Sequence, residues 1–348
     1  MSNVPTADPA ELLVEPEISA IIDILPHRSS LPEDFRFAVI DGIRFALHKI
    51  SDDYDGVLEY HDSEHFTDVV TGAVKIITFM HTRFPREIPE RDIWLVALAA
   101  AGHDIEEEFD GHIIRSEFQD QADAASNEEI DFNDPKLFEP RILWTGSNEI
   151  NSADEIVGFM VTRNLSAGRE IFTGEDIERV LSAIRRSVPE MIEVSKYKTV
   201  RQDTARADAM ALAMLWADAN SAGYSPDRFL RDGDRLWVEK VPLVGRLLRN
   251  LGSTALEARE RTLDWYEAQV AFARGRAIVT AIDIDESDLP DPIKNFMRTF
   301  FSKFHDSTAA AQRQVNRMRV MGYGVLADTL VPAKPWDVIR EIRSRQGQ

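Results

Sequence analysis

The chain has 348 residues, no cysteine, and 40 basic against 60 acidic side chains, for a formal charge of −20. Without cysteine there are no disulfides, thiolate metal sites, iron–sulfur clusters or cysteine nucleophiles, so any transition metal must rest on His, Asp and Glu. The charge speaks against a nucleic-acid polymer, whose binding relies on Lys and Arg neutralising phosphates. A small phosphate ester stays open, because a bound metal ion inverts the sign of a local site.

Residues 1–33 are proline-rich and acidic, and read as an N-terminal arm with one short helix near Ile18–Leu25. Residues 34–348 read as one all-helical domain. Phe37, Ile40, Ile43, Phe45, Leu47 and Ile50 recur at helical spacing within Phe35–Ile50. Val57–Phe84, closed by Pro85, and Arg91–Asp104 follow. Residues 106–151 are rich in acids, Asn and Ser, an acidic connection of a length that is usually functional or mobile. Ala153–Leu165, Gly174–Ser187, Thr199–Asn220, Thr254–Ile282 and Pro292–Met321 complete the helices; the best strand candidate, Arg235–Val241, is short. The expected fold is all-α, a compact multi-helix bundle of roughly eight to ten helices. No run reaches the about 18–20 apolar residues of a membrane span. The first residues lack the basic start and apolar stretch of a signal peptide, so the expectation is a cytoplasmic protein with no membrane contact.

Two helices are too apolar for the surface. Ile93–Gly102 and Ala209–Ala217 carry no polar side chain, and end in His103-Asp104 and in Asp218. A helix apolar on every face is buried. A carboxylate at its C-terminal end is then opposed by both desolvation and the helix dipole, and requires a cation. A partner Arg or Lys would serve, as would an end that emerges into water. Two such ends, one of them a His-Asp pair, favour a metal.

Between them in importance lies Glu59–Val69. His61, His65 and Asp68 are spaced i, i+4, i+7, within about 60° of arc on a helix. A polar surface stripe would give the same spacing, but Val69, Ala73, Ile76 and Phe79 turn much of this helix inward. His65, His103, Asp104 and Asp218, from three helices, match the nitrogen and oxygen ligand set of Zn²⁺, Mn²⁺, Fe²⁺ or Mg²⁺. Asp104, with two oxygens, can bridge two ions.

A His, then a His-Asp pair, then a distant Asp on a helical chain resembles the HD superfamily of metal-dependent phosphohydrolases. Tyr60-His61-Asp62-Ser63-Glu64-His65-Phe66-Thr67-Asp68-Val69 is similar to the Tyr-His-Asn-x-x-His-Ala-x-Asp-Val signature of class I 3′,5′-cyclic-nucleotide phosphodiesterases. Ala99–Ile105 and Trp216–Asn220 resemble that family's runs into His-Asp and into Ala-Asp. The matches cover roughly 25 residues, in consistent order over about 58–220.

The resemblance implies a phosphodiester hydrolase holding two divalent metal ions. His65, His103, Asp104 and Asp218 would be ligands, with Asp104 bridging. Asp68 would orient a histidine ligand, and His61 would be the general acid that protonates the leaving oxygen, with metal-activated water as nucleophile. The substrate would be a cyclic nucleotide. Departures touch the second ion: Glu107 stands where the family has a histidine, Glu155 takes the place of its next Glu, and Glu108 or His112 can substitute. Its base-reading Gln is not placed; Gln312 and Gln314 are candidates by position, and Phe296, Phe300 and Phe304 form an i, i+4, i+8 stripe more typical of a core. Two alternatives remain: an HD-type nucleotide or alarmone phosphohydrolase, and a non-catalytic, metal-stabilised regulatory HD module. Oligomeric state is open.

Overall fold

The structure is a computed structural model that describes residues 16–53, 60–106, 147–240 and 256–320. Helices α1 (Pro16–Ile24), α2 (Glu33–Asp53), α3 (Ser63–Arg83) and α4 (Glu90–Gly102) form the first half of the bundle. After the acidic connection come α5 (Ser147–Ala167) and α6 (Gly174–Arg185), then a hairpin of β1 (Glu190–Val194) and β2 (Tyr197–Arg201). Next among the described residues come α7 (Ala209–Ala219), the single turn α8 (Ser221–Tyr224), α9 (Pro226–Lys240), α10 (Leu256–Glu286), α11 (Asp291–Phe300) and α12 (Phe304–Val320).

At the centre α3 packs against both α4 and α7, which also touch each other. In α4, Leu95, Val96 and Leu98 are wholly buried; in α7, Met210 is shielded on one face and Leu212, Met214 and Trp216 on others. Burying such side chains is worth about 1.5–3 kcal/mol each. That exceeds the at most about 0.7 kcal/mol per residue that β-branched or aromatic residues cost in a helix, so packing decides the outcome. α3 contributes Val69, Val70, Ala73, Val74, Ile77 and Met80, each at 0% exposure. Around this centre, α1, α2, α5 and α6 form one wall, and α9, α10 and α12 another. The short helix expected in the N-terminal arm is present as α1, and it belongs to the core: Ile18 and Ile21 are buried against α3 and α2.

Four local expectations need correction. Val57–Phe84 is not one helix, because α3 begins at Ser63. Asp62 is its N-cap, its carboxylate accepting the backbone N–H groups of Glu64 and His65 at 3.0 Å. Thr199–Asn220 is not one helix either, since its first residues pair with β1 in the register Glu190↔Arg201 to Val194↔Tyr197. The hairpin turns on Ser195 and Lys196, both left-handed (φ 47° and 70°). Two consecutive residues at positive φ are what a two-residue hairpin turn of matching twist demands. The hairpin lies on α10, where Gly275 lets it close: a Cβ there would fall 2.7 Å from Thr199 Cβ.

The strand candidate Arg235–Val241 falls mostly in helix α9, and Val241 lies outside the described residues. Finally, Pro292–Met321 is two helices. At the break Lys303 N–H donates to the Gly223 carbonyl (2.8 Å) and Ser307 Oγ to that of Ala222 (2.6 Å), so α8 captures the start of α12. No described helix is long and apolar enough to cross a membrane.

Candidate metal centre

α4 and α7 run parallel. Arg179 of α6 ties their N-terminal ends together, its guanidinium donating to Asp92 in the first turn of α4 and to Asp208, the N-cap of α7, both at 2.7 Å. With starts fixed side by side, the two helices deliver their last residues to one place. His103 caps α4, Asp104 lies just beyond it, and Asp218 occupies the last turn of α7. Gly102 makes this arrival possible: a Cβ there would fall 2.2 Å from Ile156 Cγ1 of α5. α3 brings His65 to the same place from its first turn.

The four side chains converge. Ligand atoms of His65, His103 and Asp104 all lie within 4.8 Å of one another. His103 Nε2 is 2.9 Å and His65 Nε2 3.4 Å from Asp104 Oδ2. Asp218 Oδ1 is 3.8 Å from His103 Nε2 and 3.9 Å from His65 Nε2. Both rings are buried, at 2% and 3% exposure. His103 Nδ1 lies 2.8 Å from the Ala100 carbonyl oxygen, which can only accept, so this nitrogen carries the hydrogen. In the neutral ring Nε2 then has its lone pair toward the carboxylates. Neither His65 nitrogen nor His103 Nε2 has the alignment of a hydrogen bond with any partner. Buried polar atoms without partners are exceptional and signal something beyond internal packing. Two imidazole nitrogens beside two carboxylates are a donor set that a divalent cation fits.

The charges agree. Burial alone would push the His103 imidazole toward its neutral form, yet the Asp104 and Asp218 carboxylates outweigh it and hold the group well above the usual histidine range. Burial would raise Asp104, but His103, with His65 and His61, holds it well below the usual carboxylate range. Asp218 is lowered too, burial again being outweighed, chiefly by His103. Among the described residues no Lys or Arg forms an ion pair with Asp104 or Asp218. Without a cation, a proton on His103 offsets the charge of these carboxylates.

His61 lies outside the helix. It precedes the Asp62 cap, so the i, i+4, i+7 face it was expected to share with His65 and Asp68 does not exist. It stays near all the same. Its ring centroid is 5.7 Å from that of His65, and Tyr60 packs on both, 4.7 Å from His61 and 4.2 Å from His65. Asp68 does not orient a histidine. Its carboxylate takes Arg231 of α9, and its backbone carbonyl accepts from Arg228 (2.9 Å). Together with Arg235, which holds Asp62 and Glu64, these arginines clasp the first turns of α3. Glu155 also goes elsewhere, pairing at 2.9 Å with Lys49, which also holds Glu106.

Glu107, Glu108 and His112, the residues expected around a second ion, lie outside the described residues. Among the described residues there is one metal-suited group of three, not two. Gln312 meets Asn316, and Phe296, Phe300 and Phe304 pack with Phe79, Tyr224 and Gly223 rather than standing free as a clamp. Sequence reasoning missed two residues that shape the centre, Arg179 and Gln202. The Gln202 amide donates to Asp218 Oδ2 at 2.7 Å. Neither carries a local signal, since each acts across elements.

No protein-family profile matches this chain, and neither does any curated protein or solved structure. The geometry itself supports a mostly helical bundle with a buried His–His–Asp cluster suited to a metal ion, where two parallel apolar helices end.

Proposed function

We propose that this chain is a metal-dependent phosphodiester hydrolase of the HD type, acting on a small phosphate ester and most like a 3′,5′-cyclic-nucleotide phosphodiesterase. The observation that carries this is the pair of buried imidazoles, His65 and His103, whose unpartnered nitrogens face the Asp104 and Asp218 carboxylates. Their order along the chain is that of the HD pattern. His65, His103, Asp104 and Asp218 would hold the ion. A bound divalent cation supplies charge that neutralises phosphoryl oxygens and lowers the pKa of water from 15.7 toward about 7. His61, beside the cluster and outside it, would give a proton to the leaving oxygen, a step worth about 10²–10⁴-fold. Tyr60 packs on both rings.

The test is metal content of the purified chain together with turnover of cyclic nucleotides and model phosphodiesters, with and without Mn²⁺ or Mg²⁺. Turnover that needs the ion and disappears in Asp104→Ala is expected; ion-independent turnover sinks the reading. His61→Ala should keep its metal and lose about 10²–10⁴-fold in rate. Loss of metal instead would overturn the role given to His61.

One observation favours a second reading, an HD-type nucleotide or alarmone phosphohydrolase. The candidates for the phosphodiesterase family's base-reading side chains are engaged within the protein, Gln312 with Asn316 and Phe300 with Phe79 and Tyr224. Preference for nucleoside mono- or polyphosphates in the same panel would select it. A chain that binds the ion and turns over nothing is the regulatory module.

A further inference from the structure

We propose that Gln202 is a positioning residue for the metal centre: it fixes the Asp218 carboxylate so that one oxygen faces the two imidazoles, and does so without cancelling its charge. This rests on the metal reading above and extends it to a residue outside the His–Asp pattern.

Asp218 is the most exposed of the four convergent groups, with 21% of its side chain accessible, and it is not wedged between neighbours as His65 and His103 are. Its second oxygen, Oδ2, accepts from Gln202 Nε2 at 2.7 Å, leaving Oδ1 to face the imidazoles. The same Nε2 donates to the Ser187 carbonyl at 3.1 Å. An amide nitrogen has two hydrogens, and both are committed to groups that can only accept. The amide therefore cannot flip, because its oxygen would then oppose a carboxylate and a carbonyl. Gln202 is itself 5% exposed, so water is a poor substitute for either bond.

One further side chain holds the chain on both sides, through a backbone carbonyl on one and a side-chain amide on the other. Arg276 of α10, wholly buried, donates to the Val200 carbonyl at 2.6 Å and to Asn220 Oδ1. Val200 stands two residues before Gln202, and Asn220 two residues after Asp218. Arg276 thus sets the spacing across which the Gln202–Asp218 bond is made. The choice of an amide matters. An arginine here would neutralise Asp218, as Arg179 does for Asp92, and would compete with a cation; an apolar residue would let Asp218 turn toward solvent. A neutral donor orients the ligand and leaves its charge for the ion. Hydrogen-bond partners of metal ligands typically contribute about 10–100-fold in affinity.

The experiment measures Mn²⁺ and Zn²⁺ affinity of the full chain by competition with a chromogenic chelator, alongside thermal unfolding with and without the ion. Gln202→Met keeps the length and removes the donor. It should lose about 10–100-fold in affinity, and the rise in Tm on adding metal should shrink, whatever the metal-free Tm does. Gln202→Asn, a gentler change that draws the amide back, should move the same way by less. Gln202→Lys should lose the most, its ammonium taking the place of the cation. Wild-type affinity and an undiminished metal-dependent rise in Tm in Gln202→Met or Gln202→Asn overturn the role of Gln202 while leaving the metal reading intact. An unsubstituted chain that binds neither ion overturns both.

Discussion

The parallel helices α4 and α7 carry acidic residues at both ends, in opposite electrostatic circumstances. At the N-terminal end Asp92 and Asp208 meet the favourable end of each helix dipole and share one guanidinium, that of Arg179. At the C-terminal end Asp104 and Asp218 meet the unfavourable end, and their close partners are imidazoles and an amide. Arginine is a permanent counter-charge. Imidazole, unlike guanidinium, can give up its proton, so a cation can take the proton's place. The fold thus neutralises one end for good and leaves the other exchangeable.

Arg179→Met attacks the permanent end and should have the largest effect on stability. Asp92, 4% exposed, would be left without its cation. Breaking a buried pair from one side costs about 3–5 kcal/mol. Chemical denaturation should show it, and Asp92→Asn in the same chain should recover much of the loss. Unchanged stability would mean that the two ends do not differ as argued.

At the exchangeable end, His103→Ala should leave a folded protein with about 10²–10³-fold weaker metal binding. One of four ligands accounts for about a quarter of the roughly 10–16 kcal/mol typical of such sites. Titration against a chelator reads this directly. The two states should also respond to pH with opposite sign. The folded value of His103 stands above its unfolded one. Its contribution to the metal-free protein is therefore full below about 6.5 and is lost as pH rises through the raised value. Metal binding needs the neutral ring, so affinity should strengthen over the same rise.

Another acid, half-buried in α9, sharpens the contrast. Asp234 has neither arginine nor imidazole as hydrogen-bond partner but the Tyr266 hydroxyl, and burial pushes it up to about 7. Between its unfolded value of about 3.9 and that folded value, the folded chain holds a proton the unfolded chain lacks. Stability should then fall with rising pH by about 1.4 kcal/mol per unit across that window, and level off above it. Asp234→Asn should abolish the slope and be the more stable protein at pH 8.

The smallest effect is expected where α4 ends. Gly102→Ala drives a methyl into Ile156, and overpacking of this kind costs about 1–3 kcal/mol. Because His103 follows directly, metal affinity should fall with it; a stability loss alone would detach the packing of Gly102 from the site.

What could be read from the sequence follows from how local each signal is. Ile93–Gly102 and Ala209–Ala217 declare buried helices because they have no side to offer water, and the ionisable residues at their ends follow from the chain itself. The helical face through His61 failed because Asp62, a strong N-cap, starts α3 after His61 rather than before it. The hairpin was hidden for two reasons. Its turn, Ser195-Lys196, has neither Asn nor Gly, and its closure depends on Gly275, far along the chain. α9 was missed because Arg228, Arg231 and Arg235 look like surface charge until Asp62, Glu64 and Asp68 stand opposite them. Arg179 and Gln202 act wholly through partners on other elements, and no pattern of spacing contains them.

Tying α4 and α7 at a common origin makes them a pair of rulers. An inserted residue would advance the tip of either by about 1.5 Å and swing it by about 100°. That is enough to carry His103 or Asp218 out of the cluster while the rest of the bundle stays packed. Substitutions along these helices can be absorbed by repacking, but changes in their length cannot. Between residues 90 and 104, and between 208 and 218, the chain should tolerate new side chains far more readily than insertions or deletions.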